Sequence, residues 1–317
     1  MATTATTASS VPTLREDLRK PESMTRLVIR RFFKHRMAVI GVILLTFILL
    51  YVTAGAFFVS ERQANKTNIR DKFSAPSAEY PLGTDGVGRD VLARTIYGGQ
   101  ISLAIGVLSM AIAISLGTVV GLVAGFFGGW VDAILMRIVE AMLTIPILVL
   151  LLLLSRALME MSSTTINIPG REPVSVTVVV IILIIGLTAW MSLSRIVRSL
   201  VLTLKEQEFV VSARAMGAGN ARIIFGHILP NCVAPIVVAA TLEVGTAIVV
   251  ETALSFLGFG VMPPTATWGN ILNNARQDIT AYWWLWMAPG ALIMITVLAI
   301  NFIGDGLRDA FDPRSTK

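Results

Sequence analysis

A single cysteine, Cys232, and two histidines, His35 and His227, are all that 317 residues offer to soft metals. One thiol excludes an internal disulfide and any cysteine-cluster metal site. Its apolar surroundings mark it as a small core residue. The histidines lie far apart, and neither a Glu-x-x-His nor a Gly-x-Ser-x-Gly arrangement is present. An intramembrane enzyme needs placed nucleophiles or metal ligands, so that class is set aside. No Gly-Lys-Ser/Thr closes the glycine-rich stretches, so this chain does not hydrolyse ATP by itself. Charge is scarce as well. Only 15% of residues are Asp, Glu, Lys or Arg, against 55% hydrophobic, whereas soluble domains carry about 25% charge.

The apolar excess lies in long runs. Met37–Ser60, Thr95–Val131, Val174–Ser194 and Ile279–Gly304 contain no charge at all. Ile134–Leu154 carries only Arg137 and Glu140, and Cys232–Phe256 only Glu243 and Glu251. A helix needs about 20 apolar residues to cross a bilayer core, so six spans are expected. Barrel strands would alternate over about 10 residues, and these runs do not. The first run begins too far downstream, and is too long, for a signal peptide.

The expected organisation is a disordered cytoplasmic tail over 1–25, rich in Ala, Thr and Ser. A basic interfacial segment over 26–37 (RLVIRRFFKHRM) and a first span over 38–60 follow. An extracytoplasmic loop then covers 61–94, a core with five further spans 95–307, and a cytoplasmic tail 308–317. Lysine and arginine placement orients the chain. Eight precede residue 38, five lie between Arg195 and Arg222, and three follow from Arg308, with Arg137 on the same side. The opposite segments hold six, two and one. The bias predicts cytoplasmic N- and C-termini. The net charge of +6 then reflects topology and contact with anionic membrane lipid, not nucleic-acid binding.

Gly117, Gly121 and Gly125 recur every fourth residue on one helix face and predict close helix packing. Tyr80–Asp90 (YPLGTDGVGRD) predicts tight turns, and follows no strand that would make it a phosphate loop. Prolines 146, 235 and 289 predict kinks. Arg137 and Glu140, three apart, are positioned to pair. A carboxylate in mid-membrane costs on the order of 3 kcal/mol and usually faces a bundle interior or water. Glu243 and Glu251, roughly on one face, are therefore candidates for a translocation path, with a packing role as the alternative; Glu251 has the further reading of fixing the loop after its span.

The longest cytoplasmic loop is the most informative segment. Leu204–Glu208 opens a short helix, and Ala213, Arg214, Ala215 and Met216 are strong helix formers. Gly217-Ala218-Gly219-Asn220 breaks it, and Leu229-Pro230 marks entry to the next span. This segment resembles the cytoplasmic loop of ABC importer permeases, whose pattern is Glu-Ala-Ala, three residues, Gly, nine residues, an apolar residue, any residue, then Leu-Pro. Ala213, Gly217, Leu229 and Pro230 match. Val211 and Ser212 replace the Glu and first Ala, His227 takes the apolar position, and Glu208 stands one turn before the missing acid. Four further segments, Pro81–Gly106, His227–Asn231, Glu251–Leu272 and Asn301–Arg314, resemble the C-type permease of dipeptide and oligopeptide importers.

The resemblance implies an all-α, polytopic membrane protein of the type I ABC importer permease fold. Six transmembrane helices are expected, with a cytoplasmic coupling helix between the fourth and fifth. It implies a heterodimer with a homologous B-type permease. Two ABC ATPase subunits would press on the 204–222 loop, and an extracytoplasmic peptide-binding protein would deliver cargo. ATP would be bound by the partner subunits, and this chain would carry no cofactor or metal. The same machinery importing nickel chelates or glutathione is the alternative. A stand-alone secondary transporter is a further one, although no internal repeat of the kind such carriers show is visible.

Overall fold

A computed structural model describes residues 24–158, 164–167 and 172–312. Most of the tail expected over 1–25 therefore lies outside the described residues, as do parts of the 156–173 loop and the last five residues. The described chain is helical, apart from a two-residue antiparallel pair, β1 (Thr165–Ile166) with β2 (Val174–Ser175). Five helical stretches are long and apolar enough to cross a membrane: α2 (Arg36–Phe58), α4 (Val91–Phe127), α7 (Thr177–Leu204), the run Asn220–Phe256 and α12 (Trp284–Phe311).

The third expected span differs from a simple helix. It is two pieces, α5 (Gly129–Leu143) and α6 (Ile147–Leu158), bent by 84° at their junction. Pro146 explains the break. It lacks the N–H that would continue the ladder, and its ring disfavours helical backbone at Ile145. Thr144 closes α5 by bonding Ala141 O through its hydroxyl at 2.6 Å, and Pro146 O starts α6 by accepting from Leu150 N at 3.1 Å. Pro235 and Pro289 sit inside uninterrupted helices.

The centre of the molecule is the contact of α4 with α7. Gly117, Gly121 and Gly125 line the face of α4 that meets it. A Cβ on Gly121 would fall 2.6 Å from Ser194 O and from Val197 Cβ, and one on Gly125 2.9 Å from Arg198 O. The glycines thus let the two backbones touch. At about 1.5 Å per residue α4 is about 55 Å long, well beyond a hydrocarbon core of about 30 Å. It ends where Gly128 and Gly129 take φ of +64° and +54°.

The connecting segments gather at two opposite ends. At one end α3 (Glu61–Asn65), the 66–90 loop, β2 and α11 (Trp268–Ala275) pack together. Phe73 stacks on Tyr282 with ring centres 4.2 Å apart. Asp85 accepts from Val87 N, Arg89 N and Arg89 Nε, so the glycine-rich loop is a closed turn. Asp90 caps α4 by accepting from Leu92 N at 2.8 Å, and burial raises its carboxyl above the usual range despite that bond.

At the other end α1 (Met24–Lys34) turns into α2 at His35. Its Nδ1 accepts from Ala38 N at 3.1 Å, and its Nε2 lies 3.3 Å from Asp309 of α12. The segment expected to be interfacial is this helix, and its exposed Ile29 and Phe33 continue the exposed stripe Met37, Ile40, Ile43 and Phe47 of α2. An apolar stripe flanked by arginines and lysine is the pattern of a helix lying at a bilayer surface.

Gly121→Val should force α4 and α7 apart and cost on the order of 1–3 kcal/mol. Thermal unfolding of the detergent-purified protein should show a midpoint lowered by several degrees. Gly290→Ala, where an added Cβ meets nothing within 4 Å, should leave the midpoint within experimental error.

Candidate functional site

The segment between α7 and α10 (Leu229–Phe256) is built from both sides. Leu204 belongs to α7, which Lys205 closes, so the short helix starts later than expected: α8 runs Glu208–Ala215. Glu208 stands in its first turn, where a negative charge suits the helix dipole. The C-terminus is closed by two bonds, Gly217 N to Arg214 O and Ala218 N to Ala213 O, both 3.0 Å. Gly217 takes φ +83°. Paired closing bonds around a left-handed glycine form the Schellman cap.

The residues Glu208 to Pro230 then divide by direction. Val210 and Ala213 are buried, and Val210 packs in one cluster with Val197, Val201, Ile223, Ile228 and Cys232. Ala218 and Leu229 pack partly on the same cluster. Glu208, Arg214, Ala215, Met216, Gly217 and Pro230 are exposed. Met216 is 82% exposed and Phe225 66%, with Val211 and Phe209 beside them. One side of α8 is therefore fastened to the transmembrane helices and the other presents an apolar, arginine-flanked surface.

Beyond Gly219 lie α9 (Asn220–Ile223) and a π turn over Ile224–Ile228, in which Leu229 N reaches back five residues to Ile224 O. Pro230, the next residue, has no N–H to give. The side-chain amide of Asn231 bonds His227 O at 2.6 Å. The His-Ile-Leu-Pro-Asn motif is thus the local chemistry of a widened turn, a feature common at functional sites.

Two contacts that the sequence did not single out hold this end together. Arg198 of α7 grips Asp132 of α5 with two nitrogens, Nη2 at 2.5 Å from Oδ2. Lys205 Nζ donates to Gly125 O at 3.1 Å. All three charged residues flank apolar runs, which is the only local signal they carry. Arg137 and Glu140 do approach, at 3.5 Å, but both are largely exposed, where such a pair contributes little.

The two acids of α10 have different surroundings. Glu251 is fully buried. It accepts from Ser255 Oγ at 2.7 Å and from Ser102 Oγ at 3.4 Å. Those hydroxyls in turn accept from Val261 N and Trp268 N, and the buried Trp268 ring bonds Thr95 O at 2.9 Å. Glu251 therefore joins α4, α10 and the chain leading into α11, sealed away from any open surface. Glu243 is half-buried and borders a cavity of about 360 Å³ between the α5–α6 bend, α7 and α10.

Residues 117–317 match the family described as "Binding-protein-dependent transport system inner membrane component". Residues 23–76 match the "N-terminal TM domain of oligopeptide transport permease C". The chain belongs to this family of ABC transporter permeases, in its C-type branch. It is 44% identical over 287 residues to a putative peptide permease protein of Brucella suis biovar 1, covering 90% of this chain and 89% of the relative. It is 38% identical to the dipeptide transport system permease protein DppC of Alkalihalophilus pseudofirmus (94% and 93% covered). It is 36% identical to the oligopeptide transport system permease protein OppC of Bacillus subtilis (94% and 92% covered). The fold is accordingly that of a type I ABC permease, a multi-pass membrane protein.

Gly217→Val would place a branched side chain at positive φ, a cost of about 1–2 kcal/mol. Amide exchange across 213–219 should speed up while that of α7 stays slow. Glu251→Leu would strand two buried hydroxyls, at about 1–3 kcal/mol each. Its unfolding midpoint should drop by more than that of Glu251→Gln, which keeps an acceptor.

Proposed function

We propose that this permease is the C-type membrane subunit of an ATP-driven importer for dipeptides and oligopeptides. It forms half of the translocation path beside a homologous B-type permease. Two ATPase subunits dock on the α8 end, and an extracytoplasmic binding protein delivers cargo at the α11 end. ATP is held by the partner subunits. The peptide cargo is inferred from the dipeptide and oligopeptide permeases that this chain resembles over nearly their whole length.

The observation that carries the coupling role is the divided character of α8. Its inner side, led by Val210, shares one apolar cluster with Val197 and Val201 of α7 and Cys232 and Ile236 of α10, so a push on its outer side has a route to two spans. The outer side carries the exposed apolar side chains Val211 and Met216, which the described residues of this chain leave uncovered. A soluble protein surface is the occupant that such a patch fits. The distribution of Lys and Arg supports a cytoplasmic position for this end and for both termini, in a bacterial or archaeal cytoplasmic membrane.

The test uses the assembled importer purified with its ATPases. Cys232 is buried and can be replaced by Ala to leave a cysteine-free background. In that background Met216→Cys should cross-link to an ATPase subunit with a short bismaleimide. Met216→Glu should lower peptide uptake at least tenfold with the permease still present in the membrane. Labelling of the Met216→Cys variant in intact cells by a membrane-impermeant thiol reagent, or unchanged uptake by the Met216→Glu variant, would falsify the docking assignment.

A further inference from the structure

Glu243 lies near the middle of α10, and none of the hydrogen bonds or ion pairs among the described residues involves it. Two cavities meet at this carboxylate. One, of about 360 Å³, reaches toward Pro146 and the α5–α6 bend. The other, of about 180 Å³, lies between α4, α7 and α10. Ala189, Ser192, Glu243 and Thr246 line both. A third cleft of about 750 Å³ shares Ser192 and Ile196 and carries Arg195 and Glu140 toward the α8 end. The three are strung along one face of α7, where residues 189, 192, 196 and 199 fall three or four apart. Ser192, Arg195, Ile196 and Ser199 are all exposed on that face.

The groove offers few polar groups to an acid. Thr188 gives its hydroxyl to Ile184 O and Ile185 O, and Thr246 gives its own to Leu242 O. Ser192 is the remaining hydroxyl at the junction. A carboxylate at this depth costs several kcal/mol unless a cavity, water or a cation meets it. Arg195, about one turn along α7 toward α8, is the nearest cation on the groove face. Arg198, beyond it, is already engaged by Asp132. Glu243 is thus the one acid lining the two inner cavities, while Arg195 lies in the next cleft beside a second acid, Glu140.

We propose that Glu243 is the point at which the permease receives the cationic group of its solute, the α-ammonium of a zwitterionic peptide. This rests on the importer reading above and adds the chemical class the path selects. The homologous permease closes the open side.

The experiment is uptake of a labelled dipeptide by the complete importer in proteoliposomes, with the binding protein saturated. Glu243→Gln should raise KM for the loaded binding protein or lower uptake at least tenfold, and Glu243→Asp should restore at least a third of it. Both should retain the ATP hydrolysis that the binding protein stimulates. Ala189→Lys, which sets a cation at the cavity junction and leaves the acid in place, should depress uptake comparably. Undiminished uptake in Glu243→Gln or in Ala189→Lys overturns the proposal. So does equal loss in Gln and Asp together with loss of stimulated hydrolysis, since that marks a structural role. If Glu243→Gln does not assemble, the Ala189→Lys result decides alone. Failure of the unmutated importer to take up any peptide would instead overturn the importer reading, with Glu243 left aside.

Discussion

Everything in this molecule depends on how closely two backbones can lie where no water is present to drive them together. Lipid tails are as apolar as leucine, so helix association in a membrane relies on contact and shape. The glycine row of α4 supplies that contact by letting carbonyls and Cβ atoms of α7 fill the space that side chains would occupy. Once α4 and α7 are joined, neighbouring elements are tied to the pair. The Asp132–Arg198 clasp draws the start of the broken span to the joined pair. Lys205 ties the end of α7 to the last turn of α4. The base on which α8 rests is made from the same α7 residues.

The opposite end uses a different device. There the packing is made by hydrogen bonds that begin at one buried acid and pass through two serines to backbone amides of the following loop. Such a network, with each member satisfied, fixes one arrangement of loop and helix. One end of the molecule is thus held by a satisfied hydrogen-bond network and the other by the apolar cluster beneath α8. Between them lies the weakly packed region around the bend at Pro146, where the cavities occur.

Much of this architecture is readable in the chain, because the bilayer imposes one rule on each span and the rule shows as length without charge. Thr95–Val131 and Val174–Ser194 mark their helices that way. The spacing of Gly117, Gly121 and Gly125 reveals a packing face, although not its partner. Less was legible where geometry depends on distant residues. Pro146 signals a kink, but a bend of 84° reflects what surrounds it. Glu243 and Glu251 look alike as acids in one apolar run; only the fold shows that one is enclosed by serines and the other borders open space. Asp132 and Arg198 are 66 positions apart, and nothing local links them. Within the loop, the break at Gly217 and the Leu-Pro entry are plain, whereas the choice of Val210 and Ala213 as the inward pair needs the helices they touch.

The widened turn before α10 has a consequence for helical phase. Ile223, Ile228 and Cys232 all point inward, at spacings of five and then four, so the turn absorbs one residue beyond the α-helical repeat. Removing a single residue there, with the rest of the helix unchanged, would rotate all that follows by about 100°. Glu251 would swing out of its ring of hydroxyls, and Glu243 would leave the groove for another side of the helix. The placement of both acids is therefore set by a miscount of one residue at the membrane boundary, some four turns before the first of them.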